Sequence, residues 1–213
     1  MEATFWHQKW KNNEIGFHNS VVNPLLVKHL DALSLKPGSR LFIPLCGKTL
    51  DIAWLLSQGY CVAGAELSPI AVDQLFKELG VEPKIQEMNQ ILYYSAKNID
   101  LFVGDLFNLS KEMLPPIDAI YDRAALVALP EEMRIQYTKH LIEITNTAPQ
   151  LLITFEYEQH LMEGPPFSIS DKALNLYYKN SYGLNLIANN NVSGGLKGRC
   201  PAKEKVWLLK NKE

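Results

Sequence analysis

The sequence predicts an α/β fold in which a mostly parallel sheet carries helices on both faces. Short apolar stretches, typical of strands buried on both faces, alternate with segments of helical periodicity along the 213 residues. Glycines stand where several of these helices should end. No repeat, linker or low-complexity segment interrupts the alternation, so we expect a single domain over residues 1–213.

The stretch from Arg40 to Ser68 is the centre of this pattern. It predicts a strand at 40–45, a helix at 49–58 and a second strand at 60–65. A right-handed crossover makes such strands parallel, and the turn at Gly47 then lies where open α/β sheets bind ligands. Glu66 follows Gly47 by about 20 residues, the spacing at which a carboxylate meets a ribose.

Several kinds of ligand are compatible with a strand–turn–helix unit of this type. Gly47-Lys48-Thr49 resembles the end of a phosphate-binding loop, but that motif requires a glycine where Phe42 stands. The dinucleotide fingerprint G-x-G-x-x-G is absent, because Gly47 is the only glycine of the turn. A ligand without phosphate, such as S-adenosylmethionine, tolerates a bulkier turn. A plain βαβ unit that binds nothing is the remaining alternative.

The flanking segments extend the alternation in both directions. We expect helices at 24–33, 69–79, 130–145 and 171–179, and strands at 99–103, 117–123, 151–155, 184–192 and 204–209. Residues 81–98 are polar and predict a variable connection with one short edge strand near Leu92. A glycine-rich loop joins the last two strands, which predicts an antiparallel hairpin.

Two further strands deliver polar side chains to the same edge as Gly47. Asp105 follows the strand at 99–103, where its carboxylate could accept from an adenine amino group while Leu106 packs against the ring. An equally good interpretation is that Asp105 caps a helical turn. Arg123 is the last residue of the strand at 117–123, and its alternative role is an ion pair with Asp122 or another carboxylate.

The N-terminal residues 1–22 predict an aromatic lid. Trp6 and Trp10 are four residues apart and share one face of a helix. We expect Trp6 in the core, whereas Trp10 and the following segment around Phe17 could close over a ligand. The histidines of this region do not form a pattern typical of a metal site.

Composition narrows the class of protein further. Apolar residues make up 47% and charged residues 21% of the chain, and the net charge is −2. Without a basic run or a long apolar run, neither a nucleic acid nor a membrane is an expected partner. Cys46, Cys61 and Cys200 are few, odd in number and not in C-x-x-C spacing. This usage favours a reducing cytoplasm and argues against a disulfide framework or a bound metal.

Several stretches together are similar to one family. FIPLCGKTLDIAWL, VAGAELS, IYDRAALVALP, GPPF and the terminal EKVWLL resemble bacterial thiopurine S-methyltransferases, and the resemblance covers essentially the whole chain. It implies a Rossmann-like, seven-stranded methyltransferase sheet, mostly parallel, that ends in an antiparallel hairpin. It also implies S-adenosylmethionine as methyl donor, no metal, and a small aromatic or heterocyclic thiol as acceptor.

The resemblance also implies roles for individual residues. The expected donor contacts are Trp10, Leu45, Glu66, Asp105, Leu106 and Arg123. Phe17 is the expected acceptor contact, and Arg123 is the expected catalytic residue, because a fixed cation can favour a thiolate. A second basic residue near the acceptor could be Lys197 or Arg199.

Three other functions compete with thiol methylation. Relatives suggest methylation of selenium or tellurium compounds as a detoxifying role. A non-catalytic module that binds S-adenosylmethionine is a second alternative. A nicotinamide-dependent oxidoreductase is disfavoured by the single glycine of the first turn. We expect a monomer, since no long apolar face is left over.

Overall fold

The computed structural model describes residues 3–212, which form six α-helices and nine β-strands. These elements belong to two compact units, the first extending to Ala119 and the second beginning at Ile120. Residues 1, 2 and 213, which are part of the domain and the lid predicted from the sequence, lie outside the described residues. The single domain over 1–213 therefore stays a prediction, and the units are taken one at a time.

The described residues of the first unit, 3–119, contain four α-helices and five complete strands. Its helices are α1 (Ala3–Lys11), α2 (Pro24–His29), α3 (Leu50–Ser57) and α4 (Pro69–Leu79). Its strands are β1 (Arg40–Pro44), β2 (Cys61–Glu66), β3 (Lys84–Met88), β4 (Ile91–Ala96) and β5 (Ile99–Val103). They lie in the order β3-β4-β5-β2-β1, with β1, β2 and β5 parallel and β4 antiparallel to both of its neighbours.

Short local signals place the helices of this unit where the sequence predicts them. The Asn23 side chain accepts a hydrogen bond of 2.8 Å from the Leu25 N–H and caps α2. Thr49 caps α3 in the same way through the Asp51 N–H. Both α3 and α4 are followed by a glycine in the left-handed region, Gly59 at φ 83° and Gly80 at φ 65°.

The segment 81–98 contains two strands where the sequence predicts only one short edge strand. β3 and β4 form an antiparallel hairpin, and β4 also pairs with β5. Four of the five residues of β3 are exposed, so this strand lacks the apolar stripe that identifies a strand in a sequence. The sequence signal for this hairpin is the pair of asparagines at the two tight turns, Asn89 at φ 56° and Asn98 at φ 64°.

The second unit, as far as residue 212, contains two α-helices and four strands. They are β6 (Ala119–Asp122), which starts at the unit boundary, α5 (Glu131–Ile144), β7 (Gln150–Glu156), α6 (Asp171–Tyr178), β8 (Tyr182–Asn191) and β9 (Lys203–Asn211). The strand order is β6-β7-β9-β8, with β6 and β7 parallel and β9 antiparallel to both of its neighbours. The predicted terminal hairpin is confirmed by the β8–β9 pairing.

The predicted strand count and direction are wrong, although the α/β class is right. The described part of the chain contains nine strands instead of seven, and their directions are mixed rather than mostly parallel. The β3–β4 hairpin supplies the two strands beyond seven, in a segment where the sequence predicts a connection with one short edge strand.

A buried lysine connects the end of β7 to the start of α6 in the second unit. The Lys205 Nζ lies 2.6 Å from Glu156 Oε2 and 2.5 Å from Asp171 Oδ1, and Lys205 is 4% exposed. An ammonium group at that depth requires carboxylate partners, since an unpaired buried charge is costly. The triad therefore fixes the point where the chain leaves β7 for the 157–170 loop.

In the part of the chain that the structure describes, no helix is long and apolar enough to cross a membrane. Over the same residues, no group of three or more histidine, cysteine or acidic side chains could hold a metal ion.

Candidate functional site

Glu66 is the best-defined polar group at the strand ends of the first unit. It is the last residue of β2 and is only 6% exposed. One carboxylate oxygen accepts from the Gly47 N–H and the other from the Ser68 N–H, each at 2.8 Å. The carboxylate thus joins the turn after β1 to the turn after β2.

The electrostatics of Glu66 reflect two opposing effects. Burial raises the pKa of the Glu66 carboxyl above its ordinary value, and backbone hydrogen bonds from Ser68, Gly47 and Leu67 oppose that shift. The two carboxylate oxygens together have four lone pairs, and these three N–H groups use three of them. Glu66 can therefore accept a further hydrogen bond, as from a hydroxyl of a ribose.

The turn between β1 and α3 has an unusual backbone. Leu45 has φ 47° and Gly47 has φ 53°, so two of its residues lie in the left-handed region. For a non-glycine residue such as Leu45 this conformation costs roughly 1–2 kcal/mol. Such strain is typical of ligand-binding turns. The turn directs the Gly47 N–H toward Glu66.

The N-terminal helix reaches this turn through Trp10. Trp10 is 5% exposed, and a Cβ placed on Gly47 would lie 3.1 Å from Cζ2 of the indole. The prediction that Trp6 is the core residue of the pair is wrong, because Trp6 is only partly buried. The difference arises because α1 presents its C-terminal end to the turn, so the deeper position belongs to the later tryptophan.

Phe17 lies between the two tryptophans. Its ring centroid is 5.5 Å from that of Trp6 and 5.6 Å from that of Trp10, with edge-to-face geometry in both pairs. Phe17 is 37% exposed, so one side of the ring faces outward. An ion pair of 2.6 Å between Lys9 and Glu14 holds the end of α1 to the segment that leads to Phe17. The predicted lid residues thus form one aromatic cluster.

Asp105 and Leu106 lie at the end of β5, beside the end of β2. The Gly104 N–H donates to the Glu66 carbonyl at 2.9 Å, which joins the two strand ends. The Asp105 carboxylate accepts from the Phe107 N–H at 3.0 Å and caps a 3-10 helix at Leu106–Asn108. The capping interpretation of Asp105 is therefore confirmed. Leu106 is 5% exposed.

In the second unit, β6 ends at Asp122, and Arg123 follows it directly. Asp122 is fully buried, and its carboxylate accepts from Tyr137 O–H at 2.6 Å and from the N–H groups of Ala125 and Leu126. Over residues 3–212, the recorded ion pairs do not include one between Asp122 and Arg123. The charge of Arg123 acts on Glu204. Burial raises the pKa of the Glu204 carboxyl above its ordinary value, and the positive charge of Arg123 opposes part of that shift.

Two loops of the second unit contact each other. The Lys197 Nζ, on the glycine-rich loop, donates to the Pro165 carbonyl at 2.8 Å. The Tyr157 O–H donates to the Pro166 carbonyl at 2.6 Å. Lys197 thus lies against the 164–167 turn, whereas no recorded hydrogen bond or ion pair among residues 3–212 gives its alternative, Arg199, a side-chain contact.

Two residues that organise these turns, Asp51 and Arg134, are not among the residues predicted from the sequence. Asp51 is 2% exposed, and its carboxylate accepts from the Asn23 N–H at 2.8 Å. This bond holds the start of α2 against α3. The position of Asp51 in the first turn of α3 is the available signal. Arg134 is 5% exposed on α5, although an arginine on an amphipathic helix is usually assigned to the surface.

The residues of the first unit fit the donor implied by the sequence. The buried carboxylate of Glu66 accepts a hydrogen bond from the Gly47 N–H and can also accept from a ligand. The indole of Trp10 covers that glycine. Such a set suits a neutral ribose and adenine, whereas a pyrophosphate would require several exposed N–H groups.

Comparisons with known proteins agree with this fit. The model of the family described as Thiopurine S-methyltransferase (TPMT) matches residues 1–212. A thiopurine S-methyltransferase of Teredinibacter turnerae is 56% identical over 209 residues, which is 98% of this chain and 97% of that relative. One from Xanthobacter autotrophicus is 52% identical over 210 residues, which is 98% of this chain and 99% of that relative.

A solved structure supports the fold independently. Magnesium protoporphyrin IX methyltransferase from Synechocystis PCC 6803, determined with bound SAH, has a TM-score of 0.62 at 13% identity. The match covers 98% of this chain and 100% of that one. At this identity the likeness shows the methyltransferase fold and leaves the acceptor open.

Proposed function

The chain belongs to the thiopurine S-methyltransferase family, and we propose that it transfers a methyl group from S-adenosylmethionine to aromatic or heterocyclic thiols such as thiopurines. The observation that carries the proposal is the buried Glu66 carboxylate, held by two turns in a chain that matches this family along its length. We further propose that the acceptor is a small thiol, that the protein is a monomer and that it is located in the cytoplasm. The three free cysteines support the proposed location.

The donor side of the proposed site is built by the first unit. Glu66 accepts from a ribose hydroxyl, and Leu45 and Gly47 shape the turn that faces the donor. Trp10 covers this turn from the N-terminal segment. Leu106 supplies an apolar surface for the adenine, and the exposed Asp105 keeps an acceptor for its amino group.

S-adenosylmethionine supplies an activated methyl group on a sulfonium. The acceptor thiolate attacks the methyl carbon in line, forming a new S–C bond while the old one breaks, and the opposite charges cancel. A pocket of low dielectric favours this step, because charge dispersal costs less there than in water. The contribution of the protein is mainly alignment, since the substrate itself provides the nucleophile.

Arg123 is the proposed catalytic residue. Arg123 is a partly buried residue that directly follows β6, in a turn that Asp122 holds in place. A fixed cation favours the thiolate over the thiol, and an arginine is too basic to exchange its own proton. Phe17, with one face exposed, is the proposed contact of the acceptor ring.

The experiment that tests this function is a panel of thiols and selenols incubated with labelled S-adenosylmethionine. We expect transfer to aromatic thiols and a loss on the order of 10²-fold in Arg123→Ala. Lys139→Ala, on the exposed face of α5, is the control for a lost positive charge. Equal rates for Arg123→Ala and the native chain would exclude the catalytic role of Arg123.

Donor binding is measured separately, by calorimetric titration with S-adenosylhomocysteine. We expect Glu66→Gln to weaken binding by about tenfold to a hundredfold, the usual worth of a hydrogen bond to a charged group. Glu82→Gln, an exposed acid of the same unit, is the matched control. Binding without turnover of any thiol or selenol would instead identify a non-catalytic module.

A further inference from the structure

We propose that Arg134 is a positioning residue for the methyl acceptor, which acts by fixing Phe167 and the 164–167 turn against the turn that follows Arg123. The inference rests on the proposed function for the location of the acceptor. Its structural part, the attachment of one turn to the other, can be measured without any methyl transfer.

Arg134 contacts both turns at once. Its Nε–H donates to the Leu129 carbonyl at 2.8 Å, and its guanidinium carbon lies 5.3 Å from the centroid of the Phe167 ring. Leu129 closes the segment that begins at Arg123, whereas Phe167 ends the Gly-Pro-Pro-Phe turn. One planar side chain thus joins the two segments.

A backbone contact joins the same two segments. The Phe167 N–H donates to the Val127 carbonyl at 2.6 Å. On the other side, Gly164 has φ 87°, and a Cβ there would lie 2.6 Å from Cδ1 of Phe167. The ring is therefore packed closely against the backbone of its own turn, and Arg134 packs beside it.

The charge of Arg134 is held in an unusual way. The residue is 5% exposed, yet the ion pairs recorded among residues 3–212 do not include it. Its recorded partners are a carbonyl and an aromatic face. A buried cation without a carboxylate partner costs free energy, so simple helix packing would be served better by an apolar residue. What the arginine adds is a fixed position for Phe167.

A lysine could not replace the arginine in this arrangement. An ammonium group can lie over an aromatic ring, but it lacks the planar fork that stacks and donates at the same time. Loss of the cation–π contact and of one hydrogen bond corresponds to about a tenfold effect on the binding of whatever the turn positions. The donor contacts proposed in the first unit do not involve Arg134.

The test compares Arg134→Met, Arg134→Lys and the exposed control Lys139→Met on the same helix. With 6-mercaptopurine as acceptor, we expect KM to rise about tenfold in Arg134→Met, with kcat changed less than threefold. The Kd for S-adenosylhomocysteine should match that of the native chain. Arg134→Lys should recover only part of the KM, and Lys139→Met should match the native chain in each value.

Amide hydrogen exchange measures the attachment directly. We expect the Phe167 amide to exchange at least tenfold faster in Arg134→Met, while the Leu174 amide, bonded to Ser170 at 2.9 Å in α6, is unchanged. The proposal is overturned by unchanged exchange at Phe167, by full recovery of KM with lysine, or by parallel losses of donor and thiol binding. A native chain that methylates no thiol refutes the proposed function, and the exchange data still decide whether Arg134 fixes the turn.

Discussion

Asp122→Asn should make the protein more stable relative to the native chain as the pH rises. Asp122 is completely buried, and burial raises the pKa of its carboxyl from 3.8 to about 6. Three hydrogen bonds, from Tyr137, Leu126 and Ala125, oppose that shift but are the smaller effect. The folded chain therefore keeps a proton that the unfolded chain releases at lower pH.

The sign and size of the effect follow from this difference. Between pH 3.8 and about 6 the folded state binds more protons at this site than the unfolded state, so stability falls as the pH rises. A shift of about two pKa units corresponds to about 3 kcal/mol. Roughly 2 kcal/mol of this is expected between about pH 4.5 and about pH 7.5.

An asparagine keeps the shape of the side chain but has no proton to lose. Its carbonyl oxygen can still accept from Ala125 and Leu126, and its amide can donate to the Tyr137 oxygen. Urea denaturation followed by circular dichroism across that pH range gives the free energy of unfolding of each chain. We expect the difference between Asp122→Asn and the native chain to grow by about 2 kcal/mol in favour of the mutant.

Tyr137→Phe is the companion variant. Removing the phenol O–H takes away the largest effect that lowers the Asp122 pKa, so the pH dependence should extend to higher pH. Parallel curves for Asp122→Asn and the native chain would refute the reasoning. They would mean that the three hydrogen bonds outweigh burial and keep the carboxylate ionised.

Two other substitutions test the turn after β1 and its cover. Gly47→Ala should cost roughly 1–2 kcal/mol of stability, because Gly47 has a φ of 53°. It should also weaken the binding of S-adenosylhomocysteine, because the added Cβ would lie 3.1 Å from Trp10. Gly59→Ala, at φ 83° with open space around its Cβ, should lose similar stability in a thermal melt and keep the donor affinity. Trp10→Ala should raise the Kd for S-adenosylhomocysteine in calorimetry, whereas Trp6→Ala, which removes the other ring beside Phe17, should leave it unchanged. Equal affinities in Trp10→Ala and the native chain would make Trp10 an ordinary core residue.

Local sequence signals were sufficient for most of the fold. Proline and asparagine at the start of α2, and glycines after α3 and α4, placed these helices because each signal acts within one turn of chain. β3 cannot be predicted from its apolar pattern, because it is stabilised by pairing with β4 and not by burial of its own side chains. The pairing partner of an exposed strand cannot be identified from the apolar pattern of that strand.

The candidate site shows the same limit. Glu66 could be predicted, because a carboxylate at the end of a buried strand carries its own signal. Arg134 could not, since its role depends on Leu129 and Phe167, which lie on either side of it at different distances along the chain. The deeper burial of Trp10 over Trp6 likewise depends on how α1 meets the turn after β1, which helical periodicity does not specify.

Glu66 and Asp122 are both acids at strand ends, but one is suited to ligand binding and the other to holding a loop in place. Both lie at the end of a parallel strand, and both accept hydrogen bonds from the N–H groups of a following turn. Asp122 accepts a third bond from Tyr137 and is inaccessible, so its capacity is committed to the loop behind Arg123. Glu66 accepts from backbone N–H groups and keeps a small exposed fraction at its sheet edge, whereas Asp122 is 0% exposed. Of the two, Glu66 is therefore the acid that can also accept from a ligand, and the sequence alone gave both the same strand-end position.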